Sequence, residues 1–477
     1  MEEFEFEHKK KKRLKKGPIF VFLCILCLVI GSLGGYYFAS QQNGQNNDND
    51  VYNEMAQMIE YYFLDTTDSK YSIEERMLSG MVAALGDKYT SYMTSNQAQE
   101  LTSSINGSFE GIGVSFVAIK SGGLVLEAFE GSPAKNVGIR AGDIMTHVQG
   151  TAIAGYDADK IKGMITGEKG TSVSIQVLRD GQKKDFQLQR GSVESSVGYE
   201  IKKEGNQSFG YLRITTFGST TADLVEEALQ AFEKANLKSI CIDLRGNGGG
   251  YTDAARGILD LLLPEGEIMF QEQYNDNQIK KYKATDTKKY QFKNGYILTD
   301  HDTASASEIM TSALKEVLGY KTIGETTYGK GVVQSTIPLS QSSTLKITSA
   351  KWLTSKGNWI HEKGITPDYE VKSLALSDYP VYKSIEHNYQ YDDVADEIKA
   401  MQKTLKLLGY SVDRIDGYFS QKTKTALEAF EKKYNLKVDG IYEKEDATIL
   451  TSALTYYLYQ KAIDQPYQKV VELIKSL

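Results

Sequence analysis

A serine and a lysine in this chain have the residue types and the local setting that nucleophilic chemistry requires. Ser305 lies in the segment Thr-Ala-Ser-Ala-Ser-Glu, residues 303–308, at the start of an apolar pattern that predicts a helix. The positive end of a helix favours negative charge on an attacked substrate, so a serine there is well placed as a nucleophile. The structural alternative is a helix cap, because Ser305 and Glu308 have the spacing of a capping box.

Lys330 follows in a glycine-rich turn, Gly-Glu-Thr-Thr-Tyr-Gly-Lys-Gly, which spans residues 324–331. The turn nearly matches the nucleotide-binding loop G-x-x-x-x-G-K-[ST], but Gly331 lacks the hydroxyl that would hold magnesium, which argues against an NTPase. A lysine can act as a general base near neutral pH only if burial lowers its pKa from about 10.4. The alternative is a solvated lysine in a surface turn.

A third segment, Asp-Leu-Arg-Gly-Asn-Gly-Gly-Gly at residues 243–250, directly follows an apolar run that predicts a strand. Glycines at a strand end expose backbone N–H groups, and such groups can stabilise a developing oxyanion. A tight strand-to-helix turn would also need glycine. The segment therefore predicts either an oxyanion loop or a simple connector.

Taken together, these segments resemble the C-terminal processing peptidases, also called tail-specific proteases. The resemblance covers residues 51–371 and rests on several motifs in order, with Lys330 placed 25 residues after Ser305. Two positions depart from the family's pattern. Gly248 replaces a common proline, which predicts a more flexible loop, and Thr303 replaces a serine or smaller residue.

The resemblance implies a role for each candidate site residue. Ser305 would be the nucleophile, Lys330 the general base and Gln334 the glutamine that supports the lysine. The oxyanion donors would be the backbone N–H groups of Ala306 and Gly249. This mechanism requires no metal and no organic cofactor.

A histidine-based triad is the alternative among serine hydrolases. Three or four residues along an extended loop would place His301 too far along the chain to reach Ser305 easily, whereas His361 remains geometrically possible. Lys330 is preferred because only the lysine fits the family's pattern.

The elements that would position these motifs alternate between strand and helix from about residue 198 to residue 371. The glycine loops fall at the carboxyl ends of predicted strands, where sites collect in α/β folds. A Ser/Lys protease domain is therefore predicted over residues 192–375, within a multidomain α+β chain.

Residues 105–191 show short apolar runs broken by glycine, and they end in a predicted β-hairpin. The order of these motifs resembles a PDZ domain. Its first glycine loop, formed by Gly111, Ile112, Gly113 and Val114, would bind the terminal carboxylate of a peptide through backbone N–H groups. The alternative is a small glycine-rich β-barrel without a ligand.

Residues 392–460 contain a degenerate repeat in which Asp-Gly turns, at 416–417 and 439–440, precede a tyrosine. This pattern resembles a three-helix peptidoglycan-binding module. The alternative is a plain three-helix bundle whose Asp-Gly turns are only connectors. No function is predicted for the short helical tail after residue 460.

The N-terminus predicts a membrane anchor. Residues 1–17 carry seven basic and four acidic side chains, and the uncharged residues 18–39 are long enough to cross a bilayer. The basic flank predicts a cytoplasmic N-terminus and an exported remainder. A cleaved signal peptide is the alternative, although only a weak cleavage site is present. A polar linker at 40–50 and a helical arm at 51–104, with a helix over 51–85, would follow.

Charge and cysteine content exclude other classes. The net charge is −7, and the chain after residue 16 has 48 basic against 58 acidic side chains, which argues against nucleic acid as a partner. The three cysteines, Cys24, Cys27 and Cys241, form neither a disulfide framework nor a metal-site spacing with histidine.

The sequence thus predicts a single-pass, membrane-anchored serine endopeptidase whose catalytic part lies outside the cell. Its PDZ domain would recognise C-terminal tails of unfolded or partly disordered proteins, its last module would bind peptidoglycan, and the chain could form a homo-oligomer. Two alternatives stay open. One is a non-catalytic, wall-tethered peptide-binding scaffold, and the other is a hydrolase of cell-wall peptides.

Overall fold

The computed structural model describes most of the chain after residue 49. The predicted basic segment, the predicted membrane span and nearly all of the polar linker lie outside the described residues. Within the described ranges, no helix is both long enough and apolar enough to cross a membrane. The described ranges are 50–64, 71–106, 108–129, 131–194, 196–285, 288–374, 376–382, 385–458 and 464–477.

The chain divides into two compact units, one ending at Ala84 and one beginning at Leu85. In its described residues the first unit has two helices, α1 (Asp50–Tyr62) and α2 (Ile73–Ala83), rather than the single helix predicted over 51–85. Helix α2 begins at a capping box. The Oγ of Ser72 accepts from the N–H of Glu75 (3.1 Å), whose carboxylate accepts from the N–H of Ser72 (2.8 Å).

The second unit opens with a short strand, β1 (Ser91–Met93), and a helix, α3 (Ser95–Asn106). A glycine-rich β-domain follows, at the place where the PDZ domain is predicted. Its elements are β2 (Ser108–Gly111), β3 (Val114–Ile119), β4 (Gly122–Ala128), α4 (Pro133–Asn136), β5 (Ile144–Val148), β6 (Thr151–Ala152), α5 (Ala158–Ile165), β7 (Ser172–Arg179), β8 (Gln182–Gln189) and β9 (Gly191–Glu194).

Strands of this β-domain pair in the order β3-β4-β5-β7-β8, with β6 on β5, while β2 pairs with β9. The predicted hairpin is confirmed, because β7 and β8 are joined at Asp180 and Gly181, whose φ angles are 51° and 75°. Two successive positive φ values are typical of a tight hairpin turn, and they explain the Asp-Gly pair in the sequence. Apolar side chains, among them Ile112, Val125 and Ile161, fill the core of the domain.

The remaining β-structure forms two sheets. One has the order β10-β11-β12-β15-β16-β19, in which only the β10–β11 pair is antiparallel. Three helices connect its strands. The strands of both sheets and these three helices are, in chain order, β10 (Val197–Glu204), β11 (Gln207–Ile214), α6 (Thr221–Lys234), β12 (Ser239–Asp243), α7 (Thr252–Leu262), β13 (Ile268–Gln273), β14 (Ile279–Lys283), β15 (Asn294–Thr299), α8 (Ala306–Leu318), β16 (Lys321–Gly324), β17 (Val332–Pro338), β18 (Thr344–Leu353) and β19 (Tyr369–Glu370).

The other sheet is antiparallel and brings distant segments together. Its order is β1-β18-β13-β14, and β17 also pairs with β18. Strand β1 pairs with the first half of β18, with Tyr92 opposite Leu345. Strand β17 pairs with β18 along residues 344–351, with Gln334 opposite Thr348. The N–H of Thr348 also donates to the hydroxyl of Thr90 at 3.1 Å, so the turn before β1 lies near Gln334.

Three helices, α9 (Asp396–Leu407), α10 (Gln421–Lys433) and α11 (Lys444–Leu458), form the C-terminal module. Both predicted Asp-Gly turns are held by a fully buried side chain from a preceding helix. Gln402 accepts from the N–H of Gly417 (3.0 Å), and Glu431 accepts from the N–H of Gly440 (3.1 Å). The repeat thus has a structural basis in two similarly closed turns.

A last helix, α12 (Gln465–Lys475), returns to the mainly parallel sheet. Alternate residues of a strand point to opposite faces, and both faces of this sheet are buried. Leu212 and Ile242 belong to the core formed with α6, α7 and α8, whereas Tyr211 and Cys241 belong to the core formed with α12. The sheet is therefore covered by helices on both sides.

Candidate active site

Ser305 lies immediately before helix α8 in a strained backbone conformation. Its φ is 58° and its ψ is −116°, a region that a residue with a Cβ atom rarely adopts. Such a conformation costs on the order of 1–3 kcal/mol and persists only where surrounding contacts hold it. The carbonyl oxygen of Ser305 accepts from the N–H groups of Glu308 (2.8 Å) and Ile309 (2.9 Å). The serine thus sits on a sharp, well-held turn, as nucleophiles often do.

Glu308 joins this serine turn to the turn that contains Lys330. Its fully buried carboxylate accepts from the N–H of Ser305 (2.9 Å), the hydroxyl of Thr327 (2.6 Å), and the N–H groups of Gly329 (2.7 Å) and Lys330 (2.8 Å). Burial raises the pKa of Glu308, and these hydrogen bonds oppose the rise. The capping-box spacing visible in the sequence therefore marks a residue that does more than cap the helix.

The amine of Lys330 is oriented by a neutral partner. Its Nζ donates to Oε1 of Gln334 at 2.7 Å, and the amide nitrogen of Gln334 donates to the backbone oxygen of Tyr89. The ring centre of Tyr89 lies 5.1 Å from Nζ. The indole of Trp352 donates to the carbonyl oxygen of Lys330 at 2.6 Å, which fixes the backbone of the turn.

Burial lowers the pKa of Lys330 from its usual value, and repulsion from Lys346 lowers it further. The carboxylates of Asp87 and Glu308 act in the opposite direction, because negative charge stabilises the ammonium form. Gln334 adds no charge of its own. Lys330 therefore has the environment that a lysine needs in order to accept a proton at a lower pH than a solvated lysine would.

The two histidines of the alternative triad have other surroundings. His301 is 75% exposed and lies beside Asp302. His361 stacks on Trp359, with ring centres 5.1 Å apart, and its Nδ1 accepts from the N–H of Gly331 at 3.2 Å. His361 thus supports the turn that contains the lysine.

The glycine loop at residues 243–250 lies directly beside the serine turn. A Cβ atom on Gly249 would fall 2.9 Å from the Cβ of Ser305, so only glycine fits at this approach. The carbonyl oxygen of Asn247 accepts from the N–H of Ala304 (3.0 Å) and the hydroxyl of Ser307 (2.9 Å), which ties the loop to the serine turn.

The two predicted oxyanion donors differ in their surroundings. The N–H of Gly249 donates to the side-chain oxygen of Asn247 at 2.9 Å, within its own loop. Ala306 is the first residue of α8, and first-turn N–H groups have no partner inside a helix. To bind an oxyanion, Gly249 would have to exchange the oxygen of Asn247 for that of the substrate.

The predicted catalytic residues line one cavity. Ser305, Lys330, Gln334 and Gly249 border a space of about 450 Å³, and α3 supplies part of its wall. A site of this kind combines a serine hydroxyl, a partly buried amine and backbone donors, which is the set of groups that acyl transfer needs.

The predicted carboxylate-binding loop connects β2 to β3 in the glycine-rich domain. Gly111 ends β2, and Val114 begins β3. Gly113 has a φ of 79°, and its carbonyl oxygen accepts from the N–H of Phe129 at 3.0 Å. The carbonyl oxygen of Ile112 accepts from the N–H of a residue in α4 at 2.8 Å. The loop is therefore held in a defined conformation.

A groove of about 840 Å³ lies beside this loop. Ile112, Gly113 and Val114 border it together with Phe116 of β3 and Ile165 of α5. A groove between a strand and a helix is the usual place where an added peptide strand docks. Its apolar residues suit an apolar side chain near the end of such a peptide, and polar residues of α3, among them Glu100, also line the groove.

Sequence reasoning missed two residues of the site, Tyr89 and Glu308. Tyr89 lies 241 positions before Lys330 and carries no motif, so no signal in the sequence could have found it. Glu308 was visible through its spacing from Ser305, but that spacing also fits an ordinary helix cap.

Three family models match segments of the second unit. Residues 208–371 match the family model described as peptidase family S41, residues 111–189 match the PDZ domain model, and residues 394–450 match a peptidoglycan binding domain model.

Curated relatives match most of the chain. Carboxy-terminal processing protease CtpA of Bacillus subtilis is 32% identical over 98% of this chain and 99% of its own length. Carboxy-terminal processing protease CtpB of the same organism is 34% identical over 80% of this chain and 79% of its own length. Among solved structures, the photosystem II D1 C-terminal processing protease is 25% identical, covers 66% of this chain and 86% of its own, and has a TM-score of 0.42.

Proposed function

Because this chain belongs to the S41 family of C-terminal processing peptidases, we propose that Ser305 and Lys330 form its catalytic dyad. The chain is a serine-type peptidase with a PDZ domain and a peptidoglycan-binding module. The observation that carries the proposal is the partly buried amine of Lys330, which has a lowered pKa and lines the same cavity as the strained Ser305.

In the proposed first step, neutral Lys330 takes the hydroxyl proton of Ser305 while Oγ bonds to the scissile carbonyl carbon. The carbonyl electron pair moves onto oxygen, where the N–H groups of Ala306 and Gly249 stabilise the charge. The C–N bond then breaks, and the ammonium of Lys330 gives its proton to the departing amine. A water molecule attacks the acyl ester, Lys330 takes the water's proton, and the collapse releases the acid product and returns that proton to Ser305.

Gln334 orients the lysine in this scheme. An amide oxygen 2.7 Å from Nζ directs the amine without adding charge, whereas a carboxylate there would raise the lysine's pKa. Glu308, whose carboxylate receives backbone N–H groups from both turns, keeps serine and lysine in fixed positions.

The proposed substrates are C-terminal tails of unfolded or partly disordered proteins. The loop at Gly111, Ile112, Gly113 and Val114 would receive the terminal carboxylate, and the adjoining groove would hold the last residues as an added strand. A hydrolase of cell-wall peptides is the less favoured alternative, because a PDZ domain fits a protein tail better.

Bacterial relatives and the peptidoglycan-binding module indicate a location in the cell envelope. Within that location, we propose a single-pass anchor at residues 18–39 with the catalytic part outside the cell. The support is the uncharged run behind a basic flank. Protease added to intact cells should degrade the catalytic part; protection of the catalytic part would contradict this orientation.

The arm supports a homo-oligomer, because helix α1 and the residues after it expose large apolar side chains. Tyr61 is 78% exposed and Tyr62 is 74% exposed, and single-chain proteins rarely leave such side chains together in solvent. Sedimentation of the purified chain should therefore give more than one copy per particle, and Tyr61→Glu should reduce that number. A monomeric wild-type protein would rule out the oligomer.

The decisive test compares the full chain in detergent with Ser305→Ala, Lys330→Ala and a control, Lys321→Ala, incubated with an unfolded protein. Mass spectrometry then identifies the products. We expect the wild type and the exposed-lysine control to cut and both dyad variants to be inert while folded. Substantial cutting by Lys330→Ala would reject the lysine as base and turn attention to His361.

A further inference from the structure

The C-terminal helix α12 covers one face of the protease sheet, although its residues lie outside the segments that the family models match. It packs against the face of the sheet opposite α6, α7 and α8, where Tyr467, Val470 and Ile474 are at most 3% exposed. The ring of Tyr467 lies 5.8 Å from that of Tyr211, edge to face. This helix follows the peptidoglycan-binding module in the chain, yet it packs on the protease sheet.

Asp464, the residue before α12, connects this helix to the glycine loop. Its side chain caps the helix by accepting from the N–H of Tyr467 at 3.2 Å. The same carboxylate accepts two hydrogen bonds from Arg245, at 2.7 Å from Nη1 and 2.8 Å from Nη2. A bidentate pair of this kind fixes the orientation of a guanidinium as well as its position.

Arg245 is thereby held between two carboxylates. Its Nε and Nη2 donate to Asp243 at 2.9 Å and 2.6 Å, and Asp243 also accepts from the hydroxyl of Tyr211 at 2.6 Å. Asp243 ends β12, so this side of the pair belongs to the rigid sheet. Asp464 is the partner that comes from a separate helix.

The loop that follows Arg245 needs such anchors because its backbone is intrinsically flexible. Gly246, Gly249 and Gly250 have φ values of 70°, 105° and 144°, conformations that glycine adopts without strain. We infer that Asp464 is a positioning residue, which holds Arg245 and through it the glycine loop that contains the proposed oxyanion donor Gly249. The inference rests on the proposed function of that loop.

Asp464→Asn in the full chain is the most informative variant, because it removes the negative charge at this position. Asparagine caps a helix as well as aspartate does, so α12 should remain. The pair between Arg245 and Asp243 also remains, which leaves no charge without a partner. Asp464→Glu restores the charge, and Glu472→Gln on the exposed side of the same helix is the control.

We expect Asp464→Asn to lower kcat about tenfold with KM nearly unchanged, since small displacements of catalytic groups have effects of this size or larger. Asp464→Glu should recover part of that loss, and Glu472→Gln should match the wild type. Hydrogen exchange, measured by mass spectrometry, should become about tenfold faster at residues 243–250 in Asp464→Asn but not in strand β15.

Two outcomes would overturn the inference. One is a kcat or a loop exchange rate in Asp464→Asn equal to that of Glu472→Gln. The other is a loss of activity that only follows the loss of folded protein, which would make Asp464 purely structural. Ser305→Ala assayed alongside separates the two proposals. If that variant still cuts, the proposed dyad fails, and the exchange rates alone decide whether Asp464 holds the loop.

Discussion

Glu308 shows how one buried carboxylate can hold together the two turns that contain Ser305 and Lys330. It receives a backbone N–H from Ser305 and another from Lys330, and both of these residues belong to turns without regular structure. A carboxylate that accepts four hydrogen bonds offsets much of the cost of its own burial. The spacing of nucleophile and base thus depends on a third residue that does not take part in the proposed proton transfer.

We expect Glu308→Gln to reduce kcat about a hundredfold, because a glutamine places an NH2 group against N–H donors and shifts both turns. The unfolding free energy should also fall by roughly 1–3 kcal/mol, since buried donors lose their acceptor. Steady-state kinetics and urea unfolding measure the two effects. Glu227→Gln, at an exposed position on helix α6, should change neither, and an active Glu308→Gln would contradict the positioning role.

The pH dependence of kcat/KM should report the proton of Lys330. Removal of the positive charge of Lys346 by Lys346→Met should raise the pKa of Lys330, since Lys346 lowers it. Because the base works in its neutral form, the acidic limb of the profile should move to higher pH and activity at pH 7 should fall.

Asp87→Asn should produce the opposite shift, since the carboxylate of Asp87 stabilises the ammonium form of Lys330. Its acidic limb should move to lower pH. Rate profiles of both variants between pH 5 and 10 test the pair. Shifts in the same direction, or none, would mean that a group other than Lys330 controls the limb.

At the residue scale, the family resemblance paired Lys330 with Gln334, and their side chains do form a hydrogen bond. The catalytic roles of the two residues stay predictions. Tyr89, whose backbone oxygen receives the amide of Gln334, comes from a turn near the start of the unit. Contacts between such distant segments depend on sheet pairing, which local patterns do not specify.

Helices and strands with strong local signals were predicted closely. The three helices that the resemblance implied for residues 392–460 are present, and one of them, α10, begins directly after an N-cap serine, Ser420. The helix predicted over 51–85 was wrong, since two helices lie there. A start signal was visible in Ser72 and Glu75, whose capping-box spacing announces a new helix.

Two glycines with the same φ allow the contact between the PDZ hairpin and the C-terminal module to be tested. Gly181 and Gly150 both have a φ of 75°. A Cβ atom on Gly150 would meet nothing within 4 Å, whereas one on Gly181 would overlap the carbonyl oxygen of Tyr434. Both substitutions to alanine introduce the same backbone strain. The difference between their unfolding free energies therefore measures the contact alone.

Gly150→Ala should lower the unfolding free energy by about 1 kcal/mol. Gly181→Ala should lower it by a further 1–3 kcal/mol or so, because the crowded carbonyl must move. Thermal and urea unfolding of the two variants measure the difference. Equal values would indicate that the hairpin and the module do not press against each other in solution.

At the scale of the whole molecule, chain order and spatial order diverge. Along the chain, the module at residues 396–458 lies between α12 and the sheet that α12 covers. Local sequence patterns do not show which sheet such a distant helix covers, so no function was predicted for the tail. The module also contacts the PDZ domain, where the Oγ of Ser121 lies 3.2 Å from that of Thr448. Neither contact has a local sequence signal, because both join surfaces that are complete only after folding.

The peptide groove and the catalytic cavity lie next to each other. Both are bordered by Ser104 of α3 and by Thr215 and Thr216 after β11. A tail with its terminus at the glycine loop of the PDZ domain can therefore extend towards Ser305. Recognition of the terminus and cleavage further up the same chain would be two events on one substrate.

A peptide substrate made with either a free or an amidated C-terminus tests this arrangement. Loss of a charge-assisted hydrogen bond of roughly 1.5–3 kcal/mol should raise KM about tenfold or more for the amide. The value of kcat should stay within about twofold, because the reacting groups at Ser305 are unchanged. Phe116→Ala, which widens the groove, should raise KM for both peptides. If the two peptides give equal KM values, substrates enter the cavity without using the carboxylate loop, and the PDZ domain selects them by another feature.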